Sequence, residues 1–429
     1  MQISNLRTEN KDNLTKVIAT IKWENNQRPE QEIYFATTPE FAPDLACNPH
    51  AFLIGCIIPA WRFGEERIYL DAEICPQLQN GLQIAMGWLH HWFGENRPLV
   101  KIEAKTQSSL PTNNQLSRAG FFFSGGVDSL AILRTNRLNY PLSHPGSMVD
   151  GVLVYGLEVE EEESFDYVVN SLSQLAQDAK INLIPIYTNI YEHIKDLDPD
   201  WHFWVYEYQG AALAAVAHTL HQRISRISIA SSFDIPNVYP HGSHPLLDPY
   251  YSSYDLQIRY DDLLLSRLEK VQLLADWDVA LQHLRVCNLT SKYRAAQLNC
   301  GKCEKCLRTM VALEIAGVLD KATAFPPVKL TEQMLIDKAH ITNLSTVFYY
   351  QELIDPLESI GRHDLARGIQ RVINRYHQKD LAGRIKKLDQ KFFFGQLTGK
   401  EKDFKGMIKR FDNKLFSGYF TKSKLNKSA

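Results

Sequence analysis

The residues whose types and spacing best suit chemistry lie in one short run, residues 120–129, with the sequence GFFFSGGVDS. Three phenylalanines predict a buried strand, two glycines break it, and a helix is expected from about Asp128 onward. Adjacent glycines let the backbone approach a ligand closely, and the N–H groups of a first helical turn attract anions. The run therefore predicts a phosphate-binding loop between a strand and a helix.

Polar side chains in this run indicate which anion the loop would hold. Ser124 and Ser129 offer hydroxyl donors to phosphate oxygens, whereas Asp128 suits a phosphate site if it carries Mg²⁺ or orients the loop. The lysine spacing of a Walker A motif is absent, so γ-phosphoryl transfer by a P-loop NTPase is not favoured. An ordinary tight turn is the alternative. The six-residue run SGGVDS directly after an apolar strand favours the phosphate loop over such a turn.

Four clustered cysteines form the second group with chemical potential: Cys287, Cys300, Cys303 and Cys306. Their spacing predicts a tetrahedral Cys₄ metal site, structural because no position is left open for water. Zinc is the first expectation, and iron–sulfur ligation stays open because spacing alone does not exclude it. The scattered Cys47, Cys56 and Cys75 are expected to be small buried apolar residues.

A polar segment between prolines, residues 240–249, follows a predicted strand and contains His241, Ser243, His244 and Asp248. Segments at that position of an α/β sheet carry substrate-positioning groups, so substrate binding is predicted for these four residues. A Ser-His-Asp hydrolase triad is not favoured, because the G-x-S-x-G context of its nucleophile is missing. A structural loop is the other interpretation.

A helix is expected to begin at Ser266, with Glu269 completing a capping box. Arg267 and Lys270 then lie in its first turn, where cations oppose the helix dipole unless an anion is nearby. Both residues are therefore candidates for contact with phosphate or substrate.

The elements that must position these residues alternate between strands and helices. Strands are expected at 152–156, 181–187 and 227–230, and helices at 164–180 and 207–221. This alternation predicts an α/β fold with a doubly wound parallel sheet, in which ligands lie outside the carboxyl ends of the strands. The phosphate loop occupies such a position.

Three regions follow from these assignments. Residues 1–115 are expected to form an N-terminal α+β domain, with strands at 17–23, 32–36, 52–58 and 67–70 and a helix at 78–93. Residues 116–325 would form the phosphate-loop domain with its Cys₄ site, and residues 326–429 a helical, basic C-terminal region.

Composition bounds the class of protein. The 429 residues carry a net charge of −2, but residues 361–429 alone have 18 Lys and Arg against 6 Asp and Glu. That asymmetry indicates either a nucleic-acid or acidic-protein contact or a solvated helical face. No apolar run in the sequence is long enough to span a membrane, and the N-terminus is polar, unlike a signal peptide. A cytoplasmic protein without membrane contact is therefore expected.

The S-G-G-x-D-S motif resembles the pyrophosphate loop of the PP-loop ATP pyrophosphatase superfamily, whose members split ATP between the α- and β-phosphates. Together with Lys270, Cys287 and the run 300–308, CGKCEKCLR, it resembles the 7-cyano-7-deazaguanine synthase family over about residues 118–320. That family adenylates 7-carboxy-7-deazaguanine, then forms an amide with ammonia and dehydrates it to a nitrile.

The resemblance implies a role for each matched residue. ATP and Mg²⁺ would be bound by Ser124, Gly125, Gly126, Val127, Asp128 and Ser129, and Zn²⁺ by the four clustered cysteines. Asp128 and Lys270 would be the catalytic residues, and Arg308 would contact phosphate or brace the site.

The chain departs from the family in length, with about 115 residues before the loop and about 100 after the matched part. Such extended forms resemble synthase-like proteins encoded in bacterial antiviral operons, which implies a protein or nucleic-acid amine as acceptor, or a defence-complex partner. Two alternatives stay open: a tRNA-thiolating PP-loop enzyme, and a non-catalytic scaffold that senses ATP.

Overall fold

A ten-stranded sheet organises the first of two units of the chain, Met1–Val328 and Lys329–Ala429. The computed structural model describes residues 1–94, 97–108, 118–157, 162–287 and 298–392. None of the helices in these ranges is long and apolar enough to cross a membrane.

The strands of the sheet are β1 Gln2–Lys11, β2 Leu14–Lys22, β3 Gln31–Thr37, β4 Arg67–Ile74, β5 Lys101–Thr106, β6 Ala119–Phe122, β7 Met148–Tyr155, β8 Asn182–Thr188, β9 Arg226–Ala230 and β10 Gln257–Asp261. Their order across the sheet is β10-β9-β6-β7-β8-β3-β2-β1-β4-β5. The helices of this unit are α1 Pro49–Arg62, α2 Pro76–Phe93, α3 Val127–Asn139, α4 Glu162–Asp178, α5 Gln209–Thr219, α6 Arg267–Leu273, α7 Asp278–His283 and α8 Glu304–Ile315.

Strands β6 to β10 are parallel to their neighbours within the order β10-β9-β6-β7-β8. The first of them in the chain, β6, therefore lies in the middle, between β7 and β9, as in doubly wound sheets. The α/β class with a large, mostly parallel sheet is confirmed. Because the strand order reverses at β6, the segment that follows this strand lies at the point where such sheets bind ligands.

The other half of the sheet comes from the first 106 residues and joins the parallel half directly. β3 runs antiparallel to β8, with Phe35 opposite Thr188, and α1 packs closely on α5. Tyr208 donates a hydrogen bond of 2.6 Å to the carbonyl of Gly55 within that contact. Residues on both sides of position 115 thus share one sheet, and their division into separate domains stays a prediction.

One predicted strand is wrong: residues 52–58 belong to helix α1. Asn48 caps this helix by accepting a hydrogen bond from the amide of His50, and Pro49 occupies its first turn. The helix is buried on nearly every side, so its apolar residues run continuously instead of recurring at helical spacing. A short apolar run of this kind does not distinguish a buried strand from a buried helix.

The described part of the second unit, residues 329–392, contains the helices α9 Glu332–Lys338, α10 Leu344–Gln351, α11 Ile354–Ser359 and α12 His363–Phe392. Arginines of α12 form ion pairs with α9: Arg371 is 2.9 Å and Arg367 is 3.3 Å from Glu332. Arg375 donates to the carbonyl of Ala339 just beyond the end of α9. Part of the basic character therefore stabilises helix packing, and the segment 393–429 lies outside the described residues.

Candidate functional site

The phosphate-loop prediction falls on a sharp turn between β6 and α3. Phe123 continues the strand by donating its amide to the carbonyl of Val152 at 2.8 Å, and α3 begins at Val127. Gly125 has φ +74°, a left-handed conformation that disfavours other residues. A Cβ on Gly125 would also lie 2.6 Å from Cδ2 of Leu172, so both conformation and space require glycine here.

The serines of the loop face each other across the turn. Ser124 Oγ accepts a hydrogen bond from the amide of Gly126 at 3.3 Å, and Ser129 Oγ donates to the carbonyl of Gly126 at 3.0 Å. The two hydroxyl oxygens lie 3.4 Å apart. Because the first amides of α3 have no acceptor within the helix, the turn combines hydroxyls with outward N–H groups, which suits an anion.

The side chain of Asp128 is held by residues from two other elements. Arg267 of α6 donates to Asp128 Oδ2 at 2.5 Å, and Ser232, which follows β9, lies 3.5 Å from the same oxygen. Lys270 Nζ lies 3.5 Å from Asp128 Oδ1. The structure therefore brings Asp128, Arg267 and Lys270 together, although they are far apart in the sequence.

Lys270 is fully buried and connects the ends of three strands. Its ammonium donates to the carbonyl of Ser231 after β9 at 2.6 Å and lies 3.5 Å from Oδ2 of Asp262 after β10. Asp262 has φ +70°, an uncommon conformation for an aspartate. Together with Asp128 after β6, the carboxyl ends of β6, β9 and β10 meet at this lysine.

Charges around the loop decide the protonation of Asp128. Burial by itself raises the pKa of this carboxyl, but the positive charges of Arg267, Lys270 and Arg308 outweigh burial and lower it. Asp128 is therefore ionised at neutral pH. The pKa of Asp262 is raised, because burial and the nearby carboxylates outweigh the attraction of Lys270.

Three cations act on Asp128: Arg267, Lys270 and Arg308. Arg308 of α8 is buried, its Nε lies 3.3 Å from Glu304, and its charge acts on Asp128. Phosphate oxygens accept hydrogen bonds in the geometry that carboxylates do, so a bound phosphate could replace Asp128 as a partner of Arg267 and Lys270. Such an exchange would leave the cations paired and free the carboxylate.

A divalent cation fits the same place chemically. In the described part of the chain, neither Asp128 Oδ1 nor Asp262 Oδ2 accepts a hydrogen bond, and both atoms are buried. Carboxylate oxygens beside a phosphate site are the ligands that Mg²⁺ uses with nucleotides. Asp128 and Asp262 are the residues that would hold Mg²⁺ beside a phosphate, in place of their 3.5 Å contacts with Lys270.

The four clustered cysteines converge at one point. Their Sγ atoms all lie within 4.8 Å of one another, and the pairs Cys300–Cys306 and Cys287–Cys303 are each 3.9 Å apart. A tetrahedron with sulfurs about 2.3 Å from its centre has edges of about 3.8 Å. The cluster could therefore hold one metal ion such as zinc, whereas an iron–sulfur cluster, with several irons between the thiolates, needs a wider spacing.

Local backbone geometry orients the cysteines. Gly301 has φ +64°, and the turn that it permits lets Cys300 Sγ accept from the amides of Lys302 and Cys303 at 3.4 and 3.3 Å. The neighbouring Cys287 thiol raises the pKa of Cys303 to about 12. Thiolates this close repel one another, so the ionised set requires a bound cation.

Asn299 joins the cysteine cluster to the chain on both sides. Its buried amide group accepts from the amides of Val286 and Cys287 at 2.9 and 3.2 Å and donates to the carbonyls of Leu284 and Ala324 at 2.7 and 3.0 Å. All four hydrogen-bonding positions of this side chain are used. Asn299 thus fixes the segment that carries Cys287.

Three of the predicted substrate residues bond to one another. Ser243 Oγ donates to Asp248 Oδ2 at 2.6 Å, and the amide of His244 donates to Asp248 Oδ1 at 3.2 Å. Burial raises the pKa of Asp248 to about 7. These hydrogen bonds stabilise the segment itself. They engage the Ser243 hydroxyl and the Asp248 carboxylate, two groups that were predicted to bind substrate.

The fourth residue, His241, lies among aromatic rings. Its ring centroid is 5.8 Å from Phe233, 5.7 Å from Tyr239 and 6.0 Å from Tyr206. Burial lowers the pKa of His241 to about 4, so the ring is neutral at pH 7. Because Phe233 directly follows Ser232, this ring connects His241 with the Asp128 cluster.

Four residues of the site were missed from the sequence. Ser231 and Ser232 end a predicted strand, a position that signals a ligand edge, but no motif marks them. Asp262 follows β10, which is short and was not predicted. Asn299 acts through a neutral amide, for which a single sequence gives no signal.

Searches against protein-family models, curated protein sequences and solved structures found no match for this chain.

Proposed function

We propose that the loop 124–129 binds the phosphates of ATP and that the protein activates a carboxylate as its acyl adenylate, with release of pyrophosphate. The observation that carries this proposal is the meeting of Asp128, Arg267 and Lys270 beside a glycine turn at the reversal point of the sheet. The proposal is supported by the two serine hydroxyls, the first-turn amides and the two cations that lie around this turn.

The reaction divides into two displacements. A carboxylate oxygen of the substrate attacks the α-phosphorus of ATP, the bond from that phosphorus to the bridging oxygen breaks, and pyrophosphate leaves with the electron pair. An amine then attacks the acyl carbon, loses a proton, and displaces AMP. The product is an amide, which in the family that the motifs resemble is dehydrated to a nitrile.

The residues of the site have separate tasks in the first displacement. Loop amides and the hydroxyls of Ser124 and Ser129 would bind the β-phosphate, where negative charge grows as the bond breaks. Arg267 and Lys270 would turn from Asp128 to the pyrophosphate. Mg²⁺ held by Asp128 would neutralise phosphate oxygens and help align them with the attacking carboxylate.

The substrate class comes from the motif resemblance, which implies a deazapurine carboxylate such as 7-carboxy-7-deazaguanine. An aromatic group supports a planar substrate, because Tyr206, Tyr239 and Phe233 surround the neutral His241, and Phe233 directly follows Ser232. The acceptor is ammonia or an amine of a protein or nucleic acid. Zinc at the cysteine centre would be structural, since all four tetrahedral positions are filled by protein.

Mass spectrometry of the products tests this proposal. Purified protein is incubated with Mg-ATP and 7-carboxy-7-deazaguanine, with and without ammonium, and compared with Asp128→Asn. We expect carboxylate-dependent AMP and an adenylated or amidated deazapurine, reduced at least about 100-fold in the variant. Asp276→Asn is the matched control, since this exposed aspartate pairs with Arg134 on the surface.

Other outcomes separate the alternatives. AMP formation that requires tRNA and a sulfur donor would replace the proposal with a thiolation reaction. ATP binding without AMP formation, for every carboxylate and tRNA tried, would favour an ATP-sensing scaffold. Full activity of Asp128→Asn would contradict the site assignment.

A further inference from the structure

We infer that the metal at the cysteine centre controls the shape of the phosphate loop, and that Arg285 is the positioning residue that connects them. The inference rests on the proposed function, because its consequence is a metal-dependent affinity for the phosphates of ATP. Two sets of hydrogen bonds support it: one joins Arg285 to the loop, and the other joins Val286 and Cys287 to Asn299.

The first set joins Arg285 to the loop. The backbone amide of Arg285 donates to the carbonyl of Gly125 at 2.8 Å, and its guanidinium donates through Nη1 to the carbonyl of Ser124 at 3.0 Å. Both carbonyls are thereby turned towards Arg285. Because the carbonyl and amide of one peptide point in opposite directions, this turns the amides of Gly125 and Gly126 away from Arg285.

The fit between the two segments is close. A Cβ on Gly126 would lie 3.4 Å from the carbonyl oxygen of Arg285, and Arg285 itself is 7% exposed. The loop therefore rests on this residue through its main chain as well as its side chain. A displacement of Arg285 must move or unpair the carbonyls of Ser124 and Gly125.

The second set joins the same segment to the cysteine centre. Val286 and Cys287 donate their amides to Asn299, which precedes Cys300, and Cys287 supplies a thiolate to the metal position. Cys287 is two residues from Arg285, so a metal bound at the four sulfurs fixes the end of the segment directly. Without the metal, no metal–sulfur bonds hold Cys287 beside the other three cysteines.

The consequence is a coupling between the metal and the anion. A metal-bound centre fixes Cys287 and Arg285 and preorganises the loop amides, whereas a metal-free centre leaves the loop to order itself when phosphate binds. Preorganised sites bind more tightly because less conformational freedom is lost on binding. The cysteine centre thus acts on nucleotide affinity without contacting nucleotide.

The test measures binding of α,β-methylene ATP with Mg²⁺ by calorimetry, using the full chain with its metal, metal-depleted chain, and Arg285→Met. We expect metal depletion and Arg285→Met each to raise the dissociation constant about tenfold, with the metal content of Arg285→Met unchanged. Arg285→Lys, which keeps the charge, should bind with intermediate affinity. If Arg285 served folding alone, the dissociation constants of folded Arg285→Lys and Arg285→Met would not differ in this order.

Arg137→Met is the matched control. Arg137 lies near the other end of α3 and likewise donates to two carbonyls, those of Met148 and Ala179, at 2.8 and 2.9 Å. Its replacement should change the dissociation constant less than about twofold, because its bonds lie away from the loop. An equal loss in Arg137→Met and Arg285→Met would overturn the inference.

Hydrogen exchange separates this inference from the proposed function. Without any nucleotide, metal depletion should accelerate exchange in a peptide covering residues 121–130 and leave the α2 peptide unchanged. If the intact protein binds no nucleotide, the proposed function fails and exchange alone decides the coupling. Unchanged loop exchange, or nucleotide binding that is equal with and without metal, would overturn the inference.

Discussion

The glycine turn between β6 and α3 gives a prediction whose size follows from the structure. In Gly125→Ala, the new residue would have to keep φ +74°, which costs about 1–2 kcal/mol for a residue with a Cβ. Its Cβ would meet Cδ2 of Leu172 at 2.6 Å, so this buried side chain would have to leave its rotamer at a cost of about 0.5–1.5 kcal/mol. The free energy of unfolding should fall by about 1.5–3.5 kcal/mol.

Two other glycines separate the contributions. Gly317 has φ +70° but a Cβ added to it would lie in open space, so Gly317→Ala should lower the free energy of unfolding by about 1–2 kcal/mol through conformation alone. Gly87 lies within α2 and also faces open space. Gly87→Ala should therefore be neutral or stabilise the protein by up to about 1 kcal/mol.

Urea denaturation followed by tryptophan fluorescence measures all three variants under the same conditions. Gly125→Ala should be the least stable of the three variants and Gly87→Ala the most stable. The calorimetric affinity for α,β-methylene ATP should fall in Gly125→Ala alone. A loss of stability in Gly125→Ala no larger than in Gly317→Ala would refute the close contact with Leu172.

Three further predictions concern the metal, the acid sensitivity and the polar segment. Cys303→Ser should remove most of the bound zinc, which metal analysis would show as a fall from one ion per chain; full zinc content would contradict the Cys₄ assignment. His50 and His218 have pKa values lowered to about 4 and 3 by burial, so the unfolded state binds more protons below pH 6.5. Stability should fall from pH 6.5 to pH 4, by up to about 1.4 kcal/mol per pH unit for each histidine, and His218→Gln should make urea midpoints less dependent on pH. Ser243→Ala removes the 2.6 Å hydrogen bond to buried Asp248 and should cost about 1–3 kcal/mol of stability with little change in nucleotide affinity; an affinity loss at unchanged stability would favour substrate binding.

The sequence predicted the parts of the site that depend on local pattern. A strand, a glycine pair and a helix are adjacent in the chain, so the turn at Gly125 and Gly126 follows from residue types alone. The same holds for the capping box at Ser266, which the structure has in full, with the Ser266 side chain accepting from Glu269. Three cysteines at regular spacing, with Cys287 upstream, likewise predicted that four sulfur atoms meet at one point, as they do in the structure.

The remaining features depend on contacts between distant residues. Nothing local to Asp262 indicates that it meets Lys270, because the contact requires β10 to pair with β9 at the edge of the sheet. Asn299 joins Leu284 to Ala324 through a neutral side chain, and an isolated asparagine has many ordinary roles. Helix α1 was missed because complete burial removes the periodicity that identifies a helix.

Transfer of oxygen from substrate to AMP tests the central claim most directly. If the carboxylate attacks the α-phosphorus, one carboxylate oxygen stays on AMP when the amine displaces it. With 7-carboxy-7-deazaguanine labelled by ¹⁸O in its carboxylate, mass spectrometry should find one ¹⁸O atom in each AMP formed, and Asp128→Asn should form almost none. AMP without the label, or release of ADP and phosphate instead, would contradict adenylation of the carboxylate at this loop.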